Sequence, residues 1–476
     1  VKHLNSVIVD DLDWLRTLVQ ESPDAASLQP IGIKEVVRGR GAVQTLPDVL
    51  ERCGVDAGSV LTVISDNTRK RYRSSDVLDV VLGVLHANYH VELVLVAPRP
   101  STTLVHADEV TVSDAVETTR RGAPQALISV GSGTIVDIGK VVAHHLSLAH
   151  VVVQTAASVN GFADNQSVLL IDGVKRTTLS QWPDALLIDP WTVSEAPIEM
   201  TRSGFGDQLS MYSAAADWYL ASAVGYDTSY SATPVSMMRR DVDDLIWAAN
   251  ELGWGDQNTV NLLASCLTMG GLAMGVAGRT APSSGTEHLV SHLLEMHGDA
   301  LAVATASHGS QVGAASVFAA LVWQHVRQRL RSGSVHVDAA NIADYGRVKD
   351  AFTHLDATGA MAEECWKAYQ RKSRWIRLHL DDIDKILRDW STHDAEFDQL
   401  LKPVEFVATA LERAQAPVTF AQLEPAPEGA VIEWAATNCH LMRDRFTVVD
   451  LASLIGVWNA ADVTDVLAQQ TALGRR

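Results

Sequence analysis

Ala126-Leu-Ile-Ser-Val130 runs directly into Gly131-Ser-Gly-Thr134 and then into Ile135-Val-Asp-Ile-Gly-Lys-Val-Val142. The reading is strand, glycine turn, helix. Glycines let a backbone come close to a ligand, and the first turn of the following helix offers N–H groups and the positive end of its dipole to a phosphate. An ordinary tight strand-to-helix turn fits the same residues. The pattern is not the G-x-G-x-x-G of a standard dinucleotide fold, because Val136 stands at the last glycine position and no acid follows about twenty residues on to hold a ribose. Asp66 closes another strand, in Ser65-Asp-Asn-Thr-Arg-Lys-Arg-Tyr72. It suits a ribose diol or, equally, a helix N-cap. Arg69, Lys70 and Arg71 beside it suit a 2′-phosphate, so NAD and NADP both stay open.

Outward from this turn, short β-branched runs alternate with helical patterns. Val60–Ile64, Val91–Val96, Ala126–Val130 and Leu186–Asp189 read as strands, and Ser75–Tyr89 reads as a helix. Such alternation predicts an α/β domain with a parallel sheet covered by helices. After Pro190 strand signals nearly vanish. Gly206–Ala223, Asp241–Glu251, Asn258–Gly278, Ser284–His297 and Gln311–Arg331 carry helical periodicity, which predicts an all-α C-terminal domain and a boundary near 190–200. The uncharged stretch Gln257–Gly278 is long enough to span a bilayer. Its two Asn, its hydroxyls and its four Gly favour a central buried helix instead. The stretch Val335–Leu400, with Trp366, Trp375 and Trp390, reads as amphipathic helices for packing or subunit contact.

Composition narrows the function. Among 476 residues, 57 acids against 38 bases give a net charge of −19. That balance repels phosphate backbones and anionic lipid, so neither nucleic acid nor a membrane is an expected partner. Hydrophobic residues at 47% exclude a disordered chain. Four widely spaced cysteines (Cys53, Cys266, Cys365, Cys439) form no C-x-x-C pair, which argues against a sulfur-rich zinc site or a disulfide scaffold. The N-terminal VKHLNSVIVDDLDWLRTLVQESPD lacks a basic segment followed by an apolar core, and with the cysteine usage it leads to the expectation of a cytoplasmic protein.

Three places offer metal ligands. Gly204-Phe-Gly-Asp207 reads as the opening of a helix with an acid in its first turn. Ser284-Gly-Thr-Glu287 reads as a capping box ahead of a helix on which His288 and His292 share one face. Ser307-His308-Gly309 starts another helix. One carboxylate with two imidazoles suits a borderline divalent ion that keeps an open position. A zincin is excluded, since Leu289 stands where its glutamate is required.

The order Gly131-Ser-Gly-Thr134, Thr155-Ala-Ala-Ser158-x-Asn160-Gly161-Phe162, Gly204-Phe-Gly-Asp207, Ser284-Gly-Thr-Glu-His288-x-x-x-His292 and His308-Gly309 resembles the glycerol-1-phosphate dehydrogenase family. That family belongs with iron-containing alcohol dehydrogenases, glycerol dehydrogenase and dehydroquinate synthase. Met442-Arg-Asp-Arg-Phe-Thr447 is similar to it too. The resemblance implies a dehydroquinate synthase-like fold, with an NAD(P)-binding α/β domain over residues 1–195 and a helical metal-binding and substrate domain over 196–476. By motif, Asp207, His288 and His308 would hold one divalent ion (zinc, nickel or iron). His292 and Asp207 would be the catalytic residues. Gly131, Ser132, Gly133 and Thr134 would cradle the pyrophosphate, with Asp66, Asp137, Thr155 and Ser158 completing the NAD or NADP site. Asn160, Asp207, His292 and Arg279 would meet the substrate, a secondary alcohol or its ketone: sn-glycerol 1-phosphate and dihydroxyacetone phosphate, or a related polyol. A homo-oligomer is the expected assembly, by analogy.

Four positions depart from the family pattern. Asn160 stands for an Asp, Asp164 for a small hydroxyl residue and Met211 for a Lys, and Arg279 is displaced by two residues from the usual Arg-Pro. A carboxylate at 164 facing the cleft would repel an anionic substrate. These departures weaken the expected phosphate recognition and keep two alternatives open: a dehydroquinate-synthase-like cyclase with transient NAD redox, and a non-catalytic relative. The missing basic residues, with Asp207 rather than Glu as ligand, argue against the cyclase.

Overall fold

The computed structural model describes residues 8–99, 104–332 and 335–475. The first seven residues of the N-terminal stretch discussed above lie outside the described residues. The strands longer than two residues are β1 (Glu35–Arg38), β2 (Val60–Asp66), β3 (His90–Val96), β4 (Ala126–Gly131), β5 (Ala149–Gln154), β6 (Gln166–Ile171), β7 (Val174–Leu179) and β8 (Ala185–Ile188). The helices that matter below are α1 (Val77–Leu85), α2 (Glu109–Gly122), α3 (Gly133–Leu146), α4 (Ile198–Leu209), α5 (Met211–Ala223), α6 (Gln257–Ala277), α7 (Thr286–Leu301) and α8 (His308–Arg331).

The chain divides into two compact units. A sheet unit comprises the residues up to Ile171, Lys175–Gln208 and Thr233–Thr280; a helical unit comprises Asp172–Val174, Leu209–Ala232 and the residues from Ala281 onward. The single cut near 195 is therefore corrected. Helix α6 returns to the sheet unit after the chain has left it. Gln257 at its start donates to the Pro190 carbonyl just past β8 (3.3 Å), and the Val276 carbonyl near its end accepts from the Gln29 N–H (2.7 Å). It is the one helix among the described residues long and apolar enough to cross a membrane, and 94% of its apolar window is buried inside the protein. The central buried helix read from the sequence is what the fold contains.

In the sheet unit six strands lie in the order β1-β8-β5-β4-β2-β3, all neighbours parallel. Side chains alternate faces. Leu61, Val63, Ile128 and Val130 join one core with α1, while Ile64 and Leu127 join another with α2 and α3. Both faces are thus covered, as a parallel sheet requires. The sequence reading missed β1 and β5 and the separate β6–β7 hairpin.

Chain order fixes where a ligand can enter. From β2 the chain steps outward to β3, then returns to place β4 on the other side of β2. The reversal leaves a crevice at the carboxyl ends of β2 and β4, the place where open α/β sheets bind their ligands. Asp66 and Gly131 are the last residues of those two strands.

On β5 the fully buried His150 lies 2.8 Å from Ser129 Oγ, and burial pushes its imidazole down to about 3. The unfolded chain takes up a proton near 6.5 that the folded one refuses. Stability carried by this residue is therefore complete above pH 6.5 and is lost as pH falls toward 3, by about 1.4 kcal/mol per unit. In urea titrations from pH 7 to 5, the stability gap between the wild type and His150→Gln is expected to narrow as pH falls. A gap constant with pH contradicts the assignment.

Candidate functional site

The sheet unit carries the glycine turn as read. Gly131 ends β4, Ser132 occupies the N-cap position of α3, and the Ser132 side chain makes no capping bond there. The Gly131 carbonyl accepts from the Thr155 N–H (3.2 Å), which ties the turn to the segment leaving the neighbouring β5. Thr155 and Ser158 are buried on that segment. Asp66 is not a helix N-cap, because Asp76 caps α1. Its carboxylate instead accepts from the Thr68 N–H (3.1 Å) and pairs with Lys70, which also reaches Ser65 Oγ (3.2 Å). Lys70 is thereby turned inward, while Arg69 and Arg71 are exposed.

One turn into α3 lies an ion cluster that the sequence did not foretell. Lys140 is fully buried and donates to Asp164 Oδ1 (2.7 Å) and to the carbonyls of Gly161 (2.9 Å) and Gln166. Asp137 Oδ1 lies 3.3 Å from the same ammonium, and burial pushes that acid up to about 6. Asp137, expected among the residues completing the NAD or NADP site, belongs to this cluster. Asp164 is likewise corrected. Its charge is buried against Lys140, so it adds no repulsion toward an anionic substrate. The pair pins the segment that carries Thr155, Ser158 and Asn160.

Two helices press on that segment through glycines. A Cβ on Gly204 of α4 would stand 2.0 Å from the Ala157 carbonyl oxygen, and one on Gly271 of α6 would stand 2.6 Å from that of Asn160. Only glycine permits these backbone approaches. Asp207 follows in the last turn of α4, a correction to the first-turn placement. It is buried, and its Oδ2 accepts the Asn160 N–H at 2.9 Å. The acid is thus tied to the segment that lines the crevice. Arg279 has a different place. It is exposed beyond the left-handed cap of α6, its N–H on the Met274 carbonyl, where the chain runs toward the amino ends of β1 and β8. A substrate role for Arg279 is not supported, because the crevice opens at the carboxyl ends.

The helical unit brings three imidazoles together. Ring centroids of His288 and His308 are 5.3 Å apart, those of His292 and His308 5.4 Å, and those of His288 and His292 6.0 Å. His288 and His292 are buried, and His308 begins α8 with its side chain 26% exposed. The expected capping box does not form. Gly285 is the N-cap of α7, and the buried Glu287 accepts from Ser213 Oγ (2.7 Å) and from the Gly285 N–H, while its Oε1 lies 3.1 Å from His288 Nδ1. Below it, Asp217 accepts from the Thr286 N–H (2.7 Å) and the Val448 N–H (2.9 Å); burial and the nearby Glu287 push it up to about 7. Arg445 donates to the Ser284 carbonyl.

Sequence reasoning missed Glu295. Its two oxygens lie 3.2 Å from His308 Nδ1 and 3.4 Å from His292 Nδ1, and the three side chains form a group with metal-ligand spacing within the helical unit. Its signal was its position, three residues past His292 on the same helix. Arg443 was missed as well. It is buried and lowers the His292 imidazole, whose main cause of depression is burial itself. Met211, which stands where the family pattern has a Lys, is buried core.

A family model described as iron-containing alcohol dehydrogenase matches residues 37–197. The chain is 31% identical over 239 residues to a glycerol-1-phosphate dehydrogenase [NAD(P)+] of Haloquadratum walsbyi, covering 48% of this chain and 67% of that protein. It is also 31% identical over 220 residues to the enzyme of that name from Methanosarcina barkeri, where the match spans 45% of this chain and 60% of the relative's length. A probable glycerol dehydrogenase from Sinorhizobium meliloti has the same fold, with a TM-score of 0.60 at 13% identity over 94% of this chain and 99% of that one.

The Lys140 cluster makes a stability prediction. Lys140→Met strands the buried Asp164 and is expected to cost about 3–5 kcal/mol in urea denaturation, whereas the double change Lys140→Met/Asp164→Leu costs less. A double variant at least as unstable as the single one would show that the pair does not carry the effect.

Proposed function

Because the chain belongs to the glycerol-1-phosphate dehydrogenase family, oxidoreductases of the iron-containing alcohol dehydrogenase group, we propose that it is an NAD(P)-dependent, metal-dependent dehydrogenase. It moves a hydride between the nicotinamide and a secondary alcohol or its ketone, with sn-glycerol 1-phosphate and dihydroxyacetone phosphate, or a related polyol pair, as substrates. The observation that carries this reading is the gathering of three imidazoles on the helical unit, each with its Nδ1 beside a carboxylate.

That arrangement fits a metal. A carboxylate only accepts, so each Nδ1 facing one carries the proton, and the lone pair is left on Nε2, the atom that ligates. His288 and His308 would hold the ion and, as the family resemblance implies, Asp207 would be the third ligand, a set suited to zinc, nickel or iron. When bound, the ion supplies Lewis-acid stabilisation of the developing alkoxide. NAD or NADP supplies the hydride acceptor or donor, and the residues fit it too. Gly131–Thr134 and the start of α3 offer N–H groups to the pyrophosphate at the sheet's reversal point, and Thr155 and Ser158 lie beside the same strand ends.

The chain's own residues then do the rest. His292, kept neutral by burial, accepts the hydroxyl proton at Nε2 during oxidation and returns it during reduction. Asn160, held between α4 and α6, offers its amide to substrate hydroxyls. The buried Arg443 places a positive charge near His292, which suits an anionic substrate and offsets the cationic groups lost from the family pattern.

Metal analysis of the purified protein, combined with NAD(P)H absorbance against dihydroxyacetone phosphate and unphosphorylated polyols, tests the proposal. About one metal per chain and net NAD(P)H turnover are expected. Metal with phosphate release but no net change in NAD(P)H would point to a cyclase, and neither metal nor cofactor binding would end the proposal. His288→Ala is expected to lose the metal and at least about a hundredfold in turnover. Normal metal content in that variant would show that the ligand is misassigned.

A further inference from the structure

A single carboxylate stands between the two histidines given different tasks above. Glu295 lies three residues beyond His292 on α7, with its side chain 14% exposed. Its Oε1 is 3.2 Å from His308 Nδ1, and its Oε2 is 3.4 Å from His292 Nδ1. The two rings are nearly stacked, 28° apart in plane. Each oxygen therefore serves one ring. Ser291 Oγ also lies 3.3 Å from His308 Nδ1, but its proton goes to Gln311 Oε1 (3.4 Å), and an ionised carboxylate has no proton to give; with both Nδ1 atoms donating, both rings present an Nε2 lone pair.

We propose that Glu295 is a positioning residue that fixes two tautomers at once: His308 as a ligand through Nε2, and His292 as a proton carrier through Nε2. The inference rests on the metal-dehydrogenase reading above. Substituting an amide shows why the charge matters. Glutamine offers one oxygen and one NH2 group, so it accepts from only one of the two rings and confronts the other with a donor. The ring facing the NH2 group loses its support or turns over to the tautomer whose Nε2 carries the proton.

The test is cobalt binding to the chelator-stripped protein. Co2+ is titrated as the probe and read by its visible absorption bands, which report on the ligand field independently of activity. The wild type is expected to bind one Co2+. Glu295→Gln is expected to bind it about 10- to 100-fold more weakly with altered bands, the usual effect of removing a carboxylate behind a metal-binding histidine. Glu295→Asp, which keeps two acceptor oxygens, is expected to recover part of the affinity. Glu295→Gln binding within twofold of the wild type, with unchanged bands, would overturn the assignment and leave the metal-enzyme reading standing. Equal loss in the Gln and Asp variants would overturn it too, since packing rather than charge would then be responsible. A wild type that binds no Co2+ would overturn both.

Discussion

The Asn160 N–H donates to Asp207 Oδ2 at 2.9 Å, and much of the sheet unit is arranged so that this bond can form. Helix α4 brings Asp207 within reach only because Gly204 lets its backbone lie against the Ala157 carbonyl. Helix α6 closes on the other side through Gly271. Lys140 pins the far end of the same segment through Asp164 and the Gly161 carbonyl. The segment held in this way leaves β5 at the carboxyl edge of the sheet, next to the glycine turn of β4. Asp207 and the segment lining the crevice at the sheet's carboxyl edge are thereby tied together. Displacing either displaces the other.

The helical unit meets a different constraint, the cost of burying charge. Glu287 and Asp217 are buried carboxylates beneath the start of α7, and each is covered by N–H and O–H donors. An ionised carboxylate without such donors would be expelled or neutralised. Here the cost is offset by several bonds per group, and the outcome is a fixed orientation for His288. Buried acids around an imidazole cluster are expensive for stability alone, and their presence is understandable where ring orientation is what the protein requires.

Legibility followed the range of the interactions involved. The strands over Val60–Ile64 and Ala126–Val130 were plain because unbroken β-branched runs need no partner to be recognised. The short edge strand Glu35–Arg38, charged at both ends, carries no such signal, whereas Val151–Val153 of β5 and the Asp172-Gly173 turn of the hairpin Gln166–Leu179 carry one that the sequence reading passed over. Helix α4 was read eight residues late, at Gly206 against Ile198, since two glycines within it depress local helix propensity. The dividing line between units failed for another reason: a linear reading cannot see α6 coming back to the sheet. Among site residues, the motif-borne glycines and histidines were legible. Asp164 was misread because its partner Lys140 is 24 positions away, and Glu295 went unnoticed because its role exists only when His292 and His308 are brought together by the loop between α7 and α8.

The most direct test of the account is a crystal structure of the metal-loaded protein with NAD(P), with the ion identified by anomalous scattering on either side of its absorption edge. The account predicts one ion ligated by Asp207, His288 and His308 through Nε2, with Glu295 behind the last of these. An ion held instead by His292, Glu295 and His308, or no ion at any of these side chains, would contradict it.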